Sequence, residues 1–565
     1  MKKILLFTAF LSLCFHFSPV QAQRQMERLG RGIMAMNKGS NQIYVGWRLL
    51  GTDPSDITFN LYQSVNGSTA VKVNAYPMKL TTDTVLSNCN LAVSNAFFVK
   101  PVLNGVEQGQ SSAFTLPANA AAVQYVLSIP LQNLNDANIT TQNAMPGDVD
   151  GDGEYELVVF RSGAGGDTAR LLIEAYKLNG TFLWRFDFGK NINFSNEHNA
   201  QAYYVVYDFD GDGKAEVCVR ASELSTFQSG SPQQRTVGDV LLKDGVTLYP
   251  LNGGNQRLTA PEYLYMLNGL TGAPMDSIKY EPAMGSTPNT TWGGNERPVY
   301  QWMSVAYLDG IHPSIVTERG IGEGYWIKVY GFDFRNGKFS MRPDFFATQE
   351  PIAFGGHSIR TKDIDDDGKD EFLFTAAALD NDLKLLYNQH NKGLGHGDGF
   401  QILDIDPDRP GLEWFGIQQS NTDQLGAAYW DAATGEIINK FYMAAVGDPS
   451  RGDAASVSPT IRGSQMYGGT PGVMDQNGNY VNRTSFTPTG TLYWDADLAK
   501  EVILNDNSYR DASIKKYDPV TGNSNILFNL KADGCSNPAT MAGATYFGDI
   551  LATGAKNWPS RPTTN

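Results

Sequence analysis

Four stretches of the chain set aspartates at alternate positions within glycine-rich text, which is how a cation-binding loop reads. Asp148, Asp150 and Asp152 are followed by Glu156; Asp208, Asp210 and Asp212 by Glu216; Asp363, Asp365 and Asp367 by Glu371. A fourth, Asp404, Asp406 and Asp408, has one extra residue before its acid, Glu413. Carboxylates at positions one, three and five turn toward a common centre, glycine permits the sharp turn, and a carbonyl at seven with an acid at nine completes an oxygen cage suited to calcium. The closing acid of an EF-hand stands at twelve between two helices, whereas here it stands at nine and a hydrophobic strand follows. Four carboxylates gathered without a cation would repel one another and resist ionising. Several bound Ca2+ ions that brace the fold are therefore expected.

A second set of residues could do chemistry. His357 ends Gly355-Gly356-His357, just upstream of the third loop. His396 and Asp398 lie in Gly393-Leu394-Gly395-His396-Gly397-Asp398, just upstream of the fourth. Two histidines and an aspartate in glycine-rich turns at matching places of adjacent repeats could converge on one further cation.

The elements that must position these groups are β-strands. Each Asp-rich loop runs into an apolar strand, such as Leu157-Val158-Val159-Phe160 or Phe372-Leu373-Phe374. An interleaved repeat ends strands in tight turns, at Asn179-Gly180, Asn268-Gly269, Asp431 to Gly435 and Asp518 to Gly522. Loop, strand and turn recurring over most of the chain are the sequence form of propeller blades. Insertions at 221–262 and 281–300 are expected to wall the binding face. Before the repeats, short β-prone runs such as Ile43 to Leu49 and Ile57 to Tyr62 alternate with Asn66-Gly67 and Asn104-Gly105 turns. They predict a small fibronectin-type sandwich. The expected organisation is a signal peptide over 1–22, a sandwich over 23–118 and a calcium-binding propeller over 119–565, all-β throughout.

Composition narrows the function. A formal net charge of −15 argues against a nucleic-acid partner, which would require a clustered basic surface. Lys2 and Lys3 precede the apolar run Ile4 to Phe17, and Val20-Gln21-Ala22 resembles a cleavage site, so export to the periplasm or the medium is expected. No later run reaches the ~18 apolar residues of a membrane helix. Past that signal stand Cys89, Cys218 and Cys535, an odd number that allows one disulfide at most. A monomer is expected.

Gly30-Arg31-Gly32, the run Val45-Gly46-Trp47-Arg48-Leu49-Leu50-Gly51-Thr52-Asp53-Pro54 and Phe59-Asn60-Leu61-Tyr62 together resemble the opening of rhamnogalacturonan lyases of polysaccharide lyase family 11. So do Gly147 to Gly153, Ala260-Pro261-Glu262-Tyr263-Leu264, Ala306 to Gly310 and Gly393 to Asp398. The resemblance implies an eight-bladed calcium-bearing propeller that cleaves the alternating rhamnose–galacturonic acid backbone of pectin by β-elimination. It implies His357, His396 and Asp398 as ligands of an active-site calcium, Arg451 as a catalytic residue of the cleft, and Asn537 and Arg297 as contacts to the acidic polysaccharide.

The chain also departs from the family. Gln418-Gln419 stands where the family has a further acidic ligand, and Asp453 is all that remains of an Asp-rich loop. The stretch after Asn537 reads Pro538-Ala539-Thr540, without the family's cleft lysine, which leaves Arg451 as the candidate base. After Phe547-Gly548-Asp549-Ile550-Leu551 the text leaves the family pattern. Codons read one base earlier can restore it, so a one-base frameshift and an incomplete last blade are expected. The alternative function is a catalytically impaired propeller that binds acidic polysaccharide through calcium.

Overall fold

A computed structural model describes residues 24–79, 81–122, 129–134, 139–163, 170–192, 200–229, 239–240, 260–283, 301–320, 327–348, 350, 352, 359–420, 423–443, 452–468, 472–488, 490–494, 499–508 and 511–529. The N-terminal strands form two sheets. One joins Met34–Gly39, Gln42–Gly46 and Asp83–Leu86; the other is built on Thr58–Val65 and Asn95–Leu103 with short strands beside them. Alternation puts Ile43, Val45, Phe59, Leu61, Phe97 and Val99 inward with Trp47, the sandwich core that the sequence predicts.

Seven antiparallel sheets follow as consecutive blades among the described residues. Their first two strands are Ile139–Gly147 and Glu156–Gly163, Tyr204–Tyr207 and Glu216–Ser222, Gln301–Ala306 and Ser314–Arg319, and Arg360–Lys362 and Glu371–Leu373. The last three blades begin with Phe400–Leu403 and Glu413–Ser420, Gly452–Ala455 and Gln465–Gly468, and Gly490–Leu492 and Glu501–Ser508. Two more strands complete each blade, and the Asn-Gly and Asp-to-Gly repeats form the turns between them. One strand pair from the first insertion, Thr226–Ser229 and Asp239–Val240, extends the outer edge of the first blade instead of standing free over the face. The second insertion lies almost wholly outside the described residues.

Successive blades pack face to face, so a second strand is covered on both sides and must be apolar on both. This is why Leu157 to Phe160 reads as a continuous run and not as an alternation. Phe160 and Ile173 of the first blade meet Tyr204 and Val217 of the second. Leu264 and Met266 meet Ile315 and Phe332 of the third, whose opposite face sets Trp302 and Val316 against Phe372 and Leu379 of the fourth. Leu373 packs with Trp414 and Trp430 of the fifth blade, Phe415 with Met466 of the sixth, and Tyr467 with Val502 of the seventh. The far face of the seventh blade carries Ile503, Ile514 and Phe528 with Trp494. An eighth blade, and the tail on which the frameshift expectation rests, fall outside the described residues. Cys89 and Cys218 are free buried thiols, and Cys535 is outside the description.

Residues 24–31 run across the loop end of the propeller. Arg24 donates to Gly368 O at 3.2 Å and pairs with Asp370 at 2.9 Å. Arg28 donates to Gly211 O at 3.1 Å, and the Gly30 N–H donates to Gly153 O at 2.7 Å. Arg48, buried in the sandwich, reaches the same Gly153 carbonyl at 3.2 Å. A Cβ on Gly153, whose φ is +89°, would sit 2.7 Å from Gly30 N, so this crossing requires glycine. The sandwich is thereby tied to the Asp-rich loops of the first, second and fourth blades.

Phe160, fully buried between the first two blades, gives a direct test of the face-to-face core. Phe160→Ala is expected to lower unfolding free energy by about 3–5 kcal/mol in denaturant titration. A loss within the error of the titration would contradict this packing.

Candidate active site and cation loops

The Asp-rich loops are shaped by their own backbone. In the first, the Gly151 and Gly153 N–H groups each donate to Asp148 at 2.8 Å, and Val149 N–H donates to Glu156 Oε2 at 3.1 Å. The second repeats this with Gly211 and Gly213 on Asp208 and Phe209 on Glu216. The third repeats it with Asp366 and Gly368 on Asp363 and Ile364 on Glu371. Oxygens of Asp148, Asp150 and Asp152, of Asp208, Asp210 and Glu216, and of Asp363, Asp365 and Glu371 converge within 4.8 Å in each loop. Asp212 and Asp367 stay at the rim, each accepting the N–H two residues on.

Crowding and burial move the titration of these acids. Burial first, then neighbouring aspartates, push Glu156 up to about 7 and Glu216 up to about 9. Burial also lifts Glu371 to about 8 and Glu413 to about 7. Among the described residues, Glu371 Oε1 is fully buried without a hydrogen-bond partner, on the side shared with Asp363 and Asp365. A hard cation with oxygen ligands fits such a donor set, and Asp148, Asp150, Asp152, Asp208, Asp210, Glu216, Asp363, Asp365 and Glu371 would hold it.

The fourth loop departs from the expectation. Glu413 accepts the Ile405 and Asp406 N–H groups at 2.9 and 3.0 Å, as its counterparts do. Asp408, however, is turned outward into a two-pronged pair with Arg462 at 2.6 and 2.9 Å, and Arg409 Nε approaches Glu413 at 3.6 Å. Guanidinium groups stand near these acids, so Asp404, Asp406, Asp408 and Glu413 do not gather as the other sets do. The sixth blade carries the same turn with no charge at all: Gln465 Oε1 accepts the Val457 and Ser458 N–H groups at 3.0 Å each. In the seventh, Glu501 accepts the Trp494 N–H, and its other oxygen meets Lys516 Nζ at 2.7 Å.

The histidine site lies at the opposite end of the blades. His396 Nε2 is 3.1 Å from Asp398 Oδ1, both largely buried. The loop that carries them is zipped onto the strand Glu413–Ser420: Gln419 N–H donates to His396 O, Ile417 N–H to Gly399 O, and Gly395 N–H to Gln418 Oε1. Gly397 is needed for this approach, since a Cβ there would fall 1.8 Å from Ile417 O. A Cβ on Gly399 would lie 2.6 Å from Gly452 O, so the residues that follow Asp398 and Arg451 touch. Gln418 spends its carbonyl on Gly395, and its amide Nε2 is buried without a partner among the described residues. It brings a neutral amide where the family resemblance implied an acid, and the described imidazole and carboxylate here are His396 and Asp398. His357, Arg451, Arg297 and Asn537 lie outside the described residues. The sequence reading passed over Glu318, near the same end of the third blade. It is fully buried with neither oxygen hydrogen-bonded among the described residues, and burial raises its pKa well above its ordinary value.

Comparison with known proteins decides the family. Residues 131–557 match the model for the C-terminal domain of rhamnogalacturonan lyase family 11, and residues 24–116 match that for the rhamnogalacturonan I lyase β-sheet domain. The chain belongs to rhamnogalacturonan lyase family 11. It is 33% identical over 560 residues to the rhamnogalacturonan endolyase YesW of Bacillus subtilis (strain 168), covering 94% of this chain and 83% of that one. It is 32% identical over 565 residues to the exolyase YesX of the same organism, covering 93% and 86%. The crystal structure of YesW superposes with a TM-score of 0.78 at 31% identity, over 94% of this chain and 87% of that one. The rhamnogalacturonan lyase of Bacillus licheniformis superposes at 0.77 and 32%, with the same coverage. Across this lyase family member, then, the sandwich and propeller read from the sequence are the shared architecture.

Removal of metal should expose the crowded acids. Each raised glutamate binds its proton more tightly folded than unfolded. Its stabilisation is therefore complete below the ordinary value of 4.5 and is lost as pH rises through about 7 to 9. In chelator, Tm should fall as pH climbs across that window, and added calcium should restore it most at the alkaline end. A chelated Tm that stays level with pH would contradict the assignment.

Proposed function

We propose that this chain is an exported, calcium-assisted lyase that cleaves the rhamnogalacturonan I backbone of pectin at galacturonic acid by β-elimination. The observation that carries the reading is the His396–Asp398 pair, fixed by backbone bonds to the fifth blade at the end of the propeller away from the Asp-rich loops. Residues 1–22 serve as the export signal, and no helix among the described residues is long and apolar enough to cross a membrane.

The C5 proton of a galacturonate is weakly acidic because the neighbouring carboxylate already bears charge. A cation would be held by His396 and Asp398, to which the family resemblance adds His357, and would supply charge neutralisation at that carboxylate. Arg451, which precedes Gly452 in the chain, is proposed to stabilise the enolate-like transition state with its guanidinium. It is also the proposed base, a role open to a guanidinium only where its surroundings press its pKa down. Loss of the C5 proton expels the O4 substituent and leaves an unsaturated uronide. Asn537 and Arg297 are proposed to hold the sugar chain, and the protein acts as a monomer. The absence of a lysine after Asn537 favours one second reading, a propeller that grips acidic polysaccharide without cleaving it.

Incubation of the purified protein with rhamnogalacturonan and calcium separates the two. The lyase reading expects the ultraviolet absorbance of unsaturated uronide to grow; retention of polysaccharide without that absorbance would leave the binding reading. His396→Ala should reduce elimination by about two orders of magnitude or more while Tm in calcium stays within a few degrees. Unchanged turnover would remove His396 from the site.

A further inference from the structure

Just below the histidine site, the inner strands of three blades bring together charges that the proposed mechanism does not use. Arg360 opens the fourth blade's inner strand, three residues after His357. Its guanidinium carbon lies 5.3 Å from the ring centroid of Phe400, which opens the inner strand of the fifth blade directly after Asp398-Gly399. Asp453 stands second in the sixth blade's inner strand, two residues after Arg451. Because Gly399 and Gly452 touch, these three strand entrances are neighbours along one wall.

Arg360 is exposed, yet the surrounding protein desolvates it and pushes its pKa down, as happens to a group that faces a cleft and not open water. Among the described residues its guanidinium makes one hydrogen bond, to the adjacent carbonyl of Ile359 at 2.9 Å, and no ion pair. Most of its donors are thus uncommitted. Asp453 is close enough to feel the Arg360 charge but is not bonded to it. Burial lifts the Asp453 carboxyl, opposed by the Ala454 N–H, Arg360, Gln401 and Lys500. Lys362 and Lys500 are both lowered by burial, Lys362 against Asp370 and Lys500 against Asp453. A planar donor fork, backed by an aromatic ring and without an ion pair among the described residues, is matched to a carboxylate approaching edge-on.

We propose that Arg360 is a specificity-determining residue of the cleft that binds a uronate carboxylate of the bound polysaccharide, with Phe400 holding its guanidinium plane. The inference rests on the proposed function for its substrate class, but not on the chain being catalytic.

The test is calorimetric titration of the full chain with alternating rhamnose–galacturonate oligosaccharides and with the same oligosaccharides reduced at their carboxyl groups. Arg360→Met should weaken binding of the acidic form by about tenfold or more and leave the reduced form within about twofold. Arg360→Lys, which keeps the charge without the fork, should fall between. Turnover of the Met variant should show the loss in KM and not in kcat. Equal weakening toward both oligosaccharides would assign Arg360 a structural role and overturn the proposal, as would unchanged affinity for the acidic form. If the wild type binds through Arg360 yet releases no unsaturated product, this inference stands and the lyase reading fails.

Discussion

Like charges forced together are the constraint on which the rest of this molecule depends. Each of three loops brings carboxylate oxygens within 4.8 Å of one another, and the backbone commits them to that geometry through hydrogen bonds that need no ion. The fold therefore builds a repulsion that a cation would relieve. The burial and neighbouring charge that push Glu216 up to about 9 also make its site selective for something positive. Each loop joins the inner strand to the second strand of its blade, and the faces beyond pack with ordinary apolar contacts.

The later blades show three other solutions to the same turn. Arginines at 409 and 462 engage the acids of the fifth blade, an uncharged glutamine replaces the acid in the sixth, and Lys516 faces Glu501 in the seventh. The turn itself survives each exchange, because the backbone N–H groups ask only for an acceptor, charged or not. The closing residue, at position nine or ten, is thus first an acceptor for the main chain.

How much was legible follows from range along the chain. The Asp-rich frames, the apolar second strands and the Asn-Gly turns are local, so their spacing was enough to place loops and blades. His396 and Asp398 were legible because glycine-rich text surrounds them and the glycines serve real close approaches, at Gly397 and Gly399. What escaped reading was set by distant partners. Arg462 lies 54 positions from Asp408, and no pattern in the fourth loop betrays the pairing. Gln465 was missed because a neutral acceptor leaves no charge pattern. Arg360 and Glu318 look like ordinary strand residues until the blades close around them.

The segment laid across the loop end has a bearing on how the protein is made. Arg24 finds its acceptor at Gly368, 344 positions later, so the segment that begins at Arg24 cannot be seated until half the propeller has been synthesised and has shaped its loops. Such long-range closure slows folding. The final clasp is therefore a late event, one that waits for the middle of the propeller to exist.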